Sequence, residues 1–171
     1  VAALNEYLGR NPGVHEVVLQ AEITVESTEP IVIWGTNVTL DMNGYSISNL
    51  DAASVIHVQM GGATLKNGIV NGHILVGTTT MECWVTLENT LTVYAGVNAP
   101  CVSLDGGCTL TSAAALFGWE NIPAIESIGS PPPTQTQSVT ITGGSITCSS
   151  TNGYENNIAI SLTDEYSLEI T

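Results

Sequence analysis

Basic residues are almost missing from this chain: Arg10 and Lys66 are its only two, against 16 acidic residues, and the formal net charge is −14 over 171 residues. Binding to nucleic acid or to an anionic membrane face depends on lysine and arginine displacing counterions from phosphates, so this charge balance excludes both. Long apolar runs are also lacking. Nothing approaches the 18 or so consecutive apolar residues of a spanning helix, and no leader-like segment opens the chain, so membrane insertion is not expected. The four cysteines, Cys83, Cys101, Cys108 and Cys148, include no CxxC pair, and the three histidines stand apart. Zinc sites draw their ligands from closely spaced pairs, which excludes a site of that kind. An even cysteine count permits two disulfides without requiring them, and small free thiols buried in a core are the favoured reading. Charged residues make up only 11% and aromatics 5%. Long surface helices need more lysine and glutamate than that, so helical architectures recede as well.

What remains is threonine, serine, asparagine and glycine among β-branched apolar residues, a composition that favours strands joined by tight turns. One short pattern recurs. It runs apolar–Thr–apolar and is usually followed by glycine: Val38-Thr39-Leu40, Ala63-Thr64-Leu65, Leu91-Thr92-Val93, Cys108-Thr109-Leu110 and Val139-Thr140-Ile141, with Leu168-Glu169-Ile170 as a sixth unit. A second column precedes it, at Ile31-Val32-Ile33, Ile56-His57-Val58, Val85-Thr86-Leu87, Val102-Ser103-Leu104, Ile125-Glu126-Ser127 and Ile160-Ser161-Leu162. Period-two alternation turns the flanking apolar residues to one side and the Thr, Ser or His centre to the other. A single coil cannot bury its own apolar side, whereas stacked coils share one continuous core. The expectation is therefore an all-β fold, a right-handed parallel β-helix (β-solenoid) of about six coils forming one domain over 1–171. Asn-Gly and Gly-Gly pairs such as Asn43-Gly44, Gly61-Gly62 and Gly106-Gly107 supply the corners. A hairpin-based sandwich is the structural rival, and it must treat the register of the two columns as chance.

Residues 1–12 differ. Val1, Leu4 and Leu8 lie at helical spacing before the stop Gly9-Arg10-Asn11-Pro12-Gly13, which predicts a short helix capping the open end of coils running from 16 to 171. A Pro-rich stretch, 130–137, reads as a loop inserted at one corner. The chain stops inside an apolar alternation, which predicts that the parent protein continues.

The run from Ile31 to Ser48, with Val38-Thr39-Leu40-Asp41-Met42-Asn43-Gly44-Tyr45 at its centre, resembles the opening coils of bacterial right-handed β-helix repeat proteins of the pectate-lyase-like superfamily. The resemblance implies a secreted or cell-surface protein that handles polysaccharide or stands near it. Lyases, hydrolases, epimerases, adhesins and phage spikes share that fold, so the resemblance leaves the activity open.

The residues argue against catalysis. A uronate lyase needs a basic side chain beside calcium held by an Asp cluster. Arg10 falls in the cap, Lys66 has no acidic cluster in sequence, and no Asp-x-Asp occurs. The only adjacent acidic pair is Asp164-Glu165. The nonapeptide calcium-roll repeat is absent, although Asp105 and Asp164 at equivalent corners leave Ca2+ open as the one conceivable ion. No catalytic residue is assigned. For ligand binding, strand parity places Trp34, His57, Trp84 and Glu88 on one outer face, with the two indoles two coils, or roughly 10 Å, apart. Indoles at that spacing suit stacking on sugar rings; the bland alternative is that each covers an edge of the core. The resulting expectation is a non-enzymatic extracellular or bacterial cell-surface module, either a spacer or an adhesin-like binder of polysaccharide or of another surface protein. Its rival is part of a polysaccharide lyase or glycoside hydrolase whose site lies in other coils.

Overall fold

A computed structural model describes residues 1–13, 15–51, 53–78, 81–119, 122–128, 137–148, 159–163 and 166–171. All named strand pairings are parallel, the arrangement required of a solenoid and incompatible with a sandwich of hairpins. About five turns stack behind a single short helix, Ala2–Arg10.

Each full turn contributes three faces. The first carries the opening halves of Ile31–Asp41 and Ile56–Lys66, then Ile74–Gly77, Val102–Asp105, Ile125–Ile128 and Ile160–Ser161. The second carries His15–Val18, the closing halves of those two long strands, Cys83–Leu87, Cys108–Ser112, Ser138–Ile141 and Ser167–Ile170. These two faces form one 11-stranded sheet, bent where the pairing of the long strands slips between Ile33 and Trp34 and between Gly35 and Val38. The third face is a separate six-stranded sheet: Ile23–Thr24, Ser46–Ser48, Gly68–Asn71, Leu91–Tyr94, Ala115–Gly118 and Ser145–Cys148.

The core lies inside this prism. Leu40, Ile56, Val58, Leu65, Val102, Leu104 and Leu110 are fully buried, Ile141 is 8% exposed, and Ile160 and Leu162 are partly buried where the stack ends. The alternation behind the column pattern therefore holds, but Cys108-Thr109-Leu110 is two residues out of register, Thr111 being the partner of Thr140, and two other triplets lie on different faces. Val85-Thr86-Leu87 pairs with Ala63-Thr64-Leu65 on the second face, not with Ile56-His57-Val58. Leu91-Thr92-Val93 pairs with Gly68-Ile69-Val70 on the third. The first-face strand of that turn is Ile74–Gly77, which carries no hydroxylated centre and so escapes the pattern. The threonine ladder in register is thus Thr39, Thr64, Thr86, Thr111 and Thr140, continued by Glu16 before it and Glu169 after it. The Pro-rich insertion lies outside the described residues except for Gln137, as do Asp164 and Glu165.

The N-terminal helix docks as a cap should. Leu8 is buried, and Asn5 bridges the first turn: its Oδ1 accepts from the Val32 N–H at 2.8 Å and its Nδ2 donates to the Pro30 carbonyl at 2.8 Å. Those two backbone groups stand at the terminal coil, where no further coil satisfies them on the helix side. Lys66 completes the second face by donating to Glu16 at 2.8 Å, with Asp41 at 3.6 Å. The Glu16 hydrogen bond holds the Lys66 ammonium above its ordinary value. Burial pushes Asp41 up, but the Asn43 N–H, the Asn67 amide and Lys66 outweigh it, and the carboxyl ends below its ordinary value.

Candidate functional site

Over its four middle turns the outward row of the third face repeats every 23 residues. Ser48, Asn71, Tyr94 and Phe117 are successive register partners across four turns. Tyr94 and Phe117 stack with ring centroids 5.0 Å apart and planes 16° from parallel. Beyond the end of these strands two neighbours lean in. The Val97 N–H donates to the Leu50 carbonyl at 2.7 Å and ties that turn to the rim, while the Trp119 Nε1–H donates to the Ala95 carbonyl at 3.1 Å and fixes the indole. Leu50, Asn71, Tyr94, Ala95, Phe117, Gly118 and Trp119 together line an open groove of about 460 Å³. That volume falls within the usual range for small-ligand sites, roughly 300–1,000 Å³. The lining is mostly apolar, and Asn71 supplies its one side-chain amide.

Tyr94, Trp119 and Leu50 are each about half exposed, at 42%, 50% and 41%. These large apolar side chains stand in water together beside the groove.

The four residues expected on one outer face are distributed as follows. Trp34 stands at the bend between the first and second faces, opposite Met60, whose sulfur accepts from its Nε1–H at 3.3 Å. Trp84 follows Cys83 in a strand of the second face and lies across Gly62, where any Cβ would run into the indole. The two tryptophans therefore flank the same bend from coils on either side of Met60 and Gly62. His57 sits on the first face with both ring nitrogens engaged, Nε2 with the Gly77 carbonyl at 3.1 Å and Nδ1 with the Gln59 amide at 3.2 Å. Glu88 follows the far end of the Trp84 strand and donates its backbone N–H to Leu65. The structure thus places both indoles at one bend, His57 on the first face opposite Val32, and Glu88 beyond the end of the Trp84 strand.

A polar chain also crosses the first face. His73 Nδ1 lies 2.6 Å from the Ala53 carbonyl and its Nε2 lies 2.9 Å from Ser103 Oγ; the Ser103 hydroxyl donates to Glu126 Oε1 at 3.1 Å. A nucleophilic triad places the base between the hydroxyl and the acid. Here the serine stands between the other two and is 1% exposed, so no substrate can reach it. Burial holds the His73 imidazole below its ordinary value, with the Ala53 carbonyl and the Glu126 carboxylate opposing that shift and His57 adding to it. The unfolded chain, with an ordinary value of 6.5, therefore takes up protons before the folded one does. Stability is at its full value above that pH and declines as pH falls toward the depressed folded value. Denaturant midpoints measured from pH 7.5 down to 5.5 are expected to fall, and the His73→Gln variant is expected to show a flatter profile over the same window.

Among the described residues no three His, Cys, Asp or Glu side chains gather as a metal-holding group, and no helix is long and apolar enough to cross a membrane. No protein-family model matches the chain, and no curated protein and no solved structure matches it. Its class therefore rests on its own geometry, that of a parallel β-solenoid.

Proposed function

We propose that this chain is a non-catalytic extracellular or cell-surface solenoid module that binds a neutral saccharide in the groove of Tyr94, Phe117 and Trp119. The observation that carries the reading is the stacked Tyr94–Phe117 pair beside a tethered, half-exposed indole. Sugar rings present C–H faces that pack on aromatic planes, and their hydroxyls pair with an amide such as that of Asn71. The net charge of −14 disfavours uronates and other anionic glycans, which argues for a neutral ligand. The resemblance of Ile31–Ser48 to pectate-lyase-like repeats supports the reading, since it implies a setting in which glycans are at hand.

The test is a glycan array followed by calorimetry on the strongest neutral hit. Tyr94→Ala and Trp119→Ala are each expected to weaken binding about tenfold or more, the loss of roughly one good aromatic stack. Trp34→Ala and Trp84→Ala are expected to leave it unchanged. Binding lost only in Trp84→Ala would move the site to the bend of the two-faced sheet. An array without a saturable neutral-glycan signal would sink the saccharide reading.

A further inference from the structure

The second face opens with a cysteine in two successive turns. Cys83 and Cys108 are direct register partners in neighbouring parallel strands, and both point into the core, at 3% and 0% exposure. Partners of this kind stand about 4.8 Å apart from Cα to Cα, inside the roughly 4.4–6.8 Å span that a disulfide bridges. The surroundings confine the Cys108 thiol: the Val76 and Asp105 carbonyls lie 3.2 and 3.1 Å from its sulfur. Over the same corner the Tyr166 hydroxyl donates to the Gly106 carbonyl at 2.7 Å. The other two thiols are placed differently. Cys101 is fully buried and points to the Val93 carbonyl, and Cys148 is half-buried on the third face.

We propose that Cys83 and Cys108 are an inter-coil disulfide pair, reduced in the state described above and oxidised as the chain winds in a compartment that supplies a disulfide such as oxidised glutathione. The Cys83 thiolate attacks one sulfur of glutathione disulfide, forming a mixed disulfide and expelling a glutathione thiolate. The Cys108 thiolate then attacks the Cys83 sulfur and expels the second. Two protein thiols are oxidised, one glutathione disulfide is reduced to two thiols, and the two cysteine protons leave to solvent and the departing thiolates. Either thiol can make the first attack while the turns are still unstacked, and the balance is the same in both orders. Once the turns have stacked, the reduced pair is inert: the Cys108 thiol lowers the Cys83 pKa, but Cys108 itself is pushed upward by Cys83 and by burial. Burial likewise pushes Cys101 up to about 12 in the folded chain. Because both partner sulfurs are shielded once the turns have stacked, the bond forms during winding. It then bolts one coil to the next.

The surface location assumed above supplies the oxidant, but the experiment does not depend on sugar binding. The full chain is refolded from denaturant in a glutathione redox buffer, free thiols are alkylated, and the product is digested with pepsin. The digestion is done at acid pH because the chain's two basic residues give trypsin little to cut and acid stops exchange. Mass spectrometry is expected to find a Cys83–Cys108 linked peptide pair and alkylated Cys101 and Cys148. The oxidised protein should have a higher denaturant midpoint than the reduced one, a difference absent from the Cys83→Ser/Cys108→Ser double variant. Should that variant fail to fold, the Cys101→Ala/Cys148→Ser variant keeps the question open to decision, since it must still form the linked pair. Four separately alkylated cysteines, or a linkage of Cys83 or Cys108 to either other thiol, would overturn the proposal. Neither outcome bears on glycan binding, which is read separately.

Discussion

Truncating Leu104 to alanine is expected to lower the unfolding free energy by about 2–5 kcal/mol. Leu104 is 0% exposed, and its register partners are Val76 in the turn before and Ser127 in the turn after. The stack above and below is held by its own hydrogen bonds, so the backbone cannot close over the space left behind, and loss of transfer energy and cavity cost add together. A solenoid makes the defect more damaging in one respect, since each turn is stabilised only by its neighbours and an interior turn loses both interfaces at once. Leu168, in the last described strand and 48% exposed, provides the contrast: its alanine variant should change stability by no more than about 0.5 kcal/mol. Equilibrium denaturation of both variants, compared at equal slope, checks the pair. A Leu104→Ala protein as stable as its parent would mean that the interior is not packed as described.

Much of the architecture was legible because it repeats. Apolar residues flanking a Thr, Ser or His centre report inward and outward parity, and several copies report stacking, so the capping helix, the corners and most of the core follow from the residues. The pattern fails where it is silent about which of three faces a triplet occupies. Thr86 and Thr92 sit in near-identical triplets only six residues apart, yet a turn at Glu88–Leu91 puts them on different faces. The strand at Ile74–Gly77 has leucine at its outward centre and so looks like none of its register partners.

The groove was harder to see for a related reason. Tyr94 and Phe117 are 23 residues apart, as are Asn71 and Tyr94, but that spacing acquires meaning only once the third face is known to keep one turn length from Ser48 to Phe117. Leu50 and Trp119 join the lining from outside the strands, held by the Val97 N–H and the Ala95 carbonyl. The His73–Ser103–Glu126 chain crosses three turns and is equally invisible to local pattern. In each case the missing information is the length of a corner.

Corner chemistry itself yields the sharpest comparison. Gly44 and Gly61 both adopt left-handed backbone, with φ of 83° and 71°. Their surroundings differ. A Cβ at Gly44 would meet nothing within 4 Å, while at Gly61 it would collide with the Gly35 carbonyl group and crowd the Thr36 Cα at 3.2 Å. Gly44→Ala therefore carries only the conformational penalty of a left-handed non-glycine residue, about 1–2 kcal/mol. Gly61→Ala carries that penalty together with an overpacking cost of roughly 1–3 kcal/mol, because the atoms in the way are backbone of the neighbouring coil and cannot rotate aside. The expected destabilisation is thus about 1–2 kcal/mol for the first and about 2–5 kcal/mol for the second. An asparagine control separates the two contributions, since asparagine tolerates left-handed backbone and already occupies it at Asn43 and Asn67. Gly44→Asn should be close to neutral and Gly61→Asn should remain strongly destabilised, because its Cβ meets the same carbonyl. Equal losses at the two positions would show that neighbouring turns do not approach at Gly61 as closely as the stacking requires.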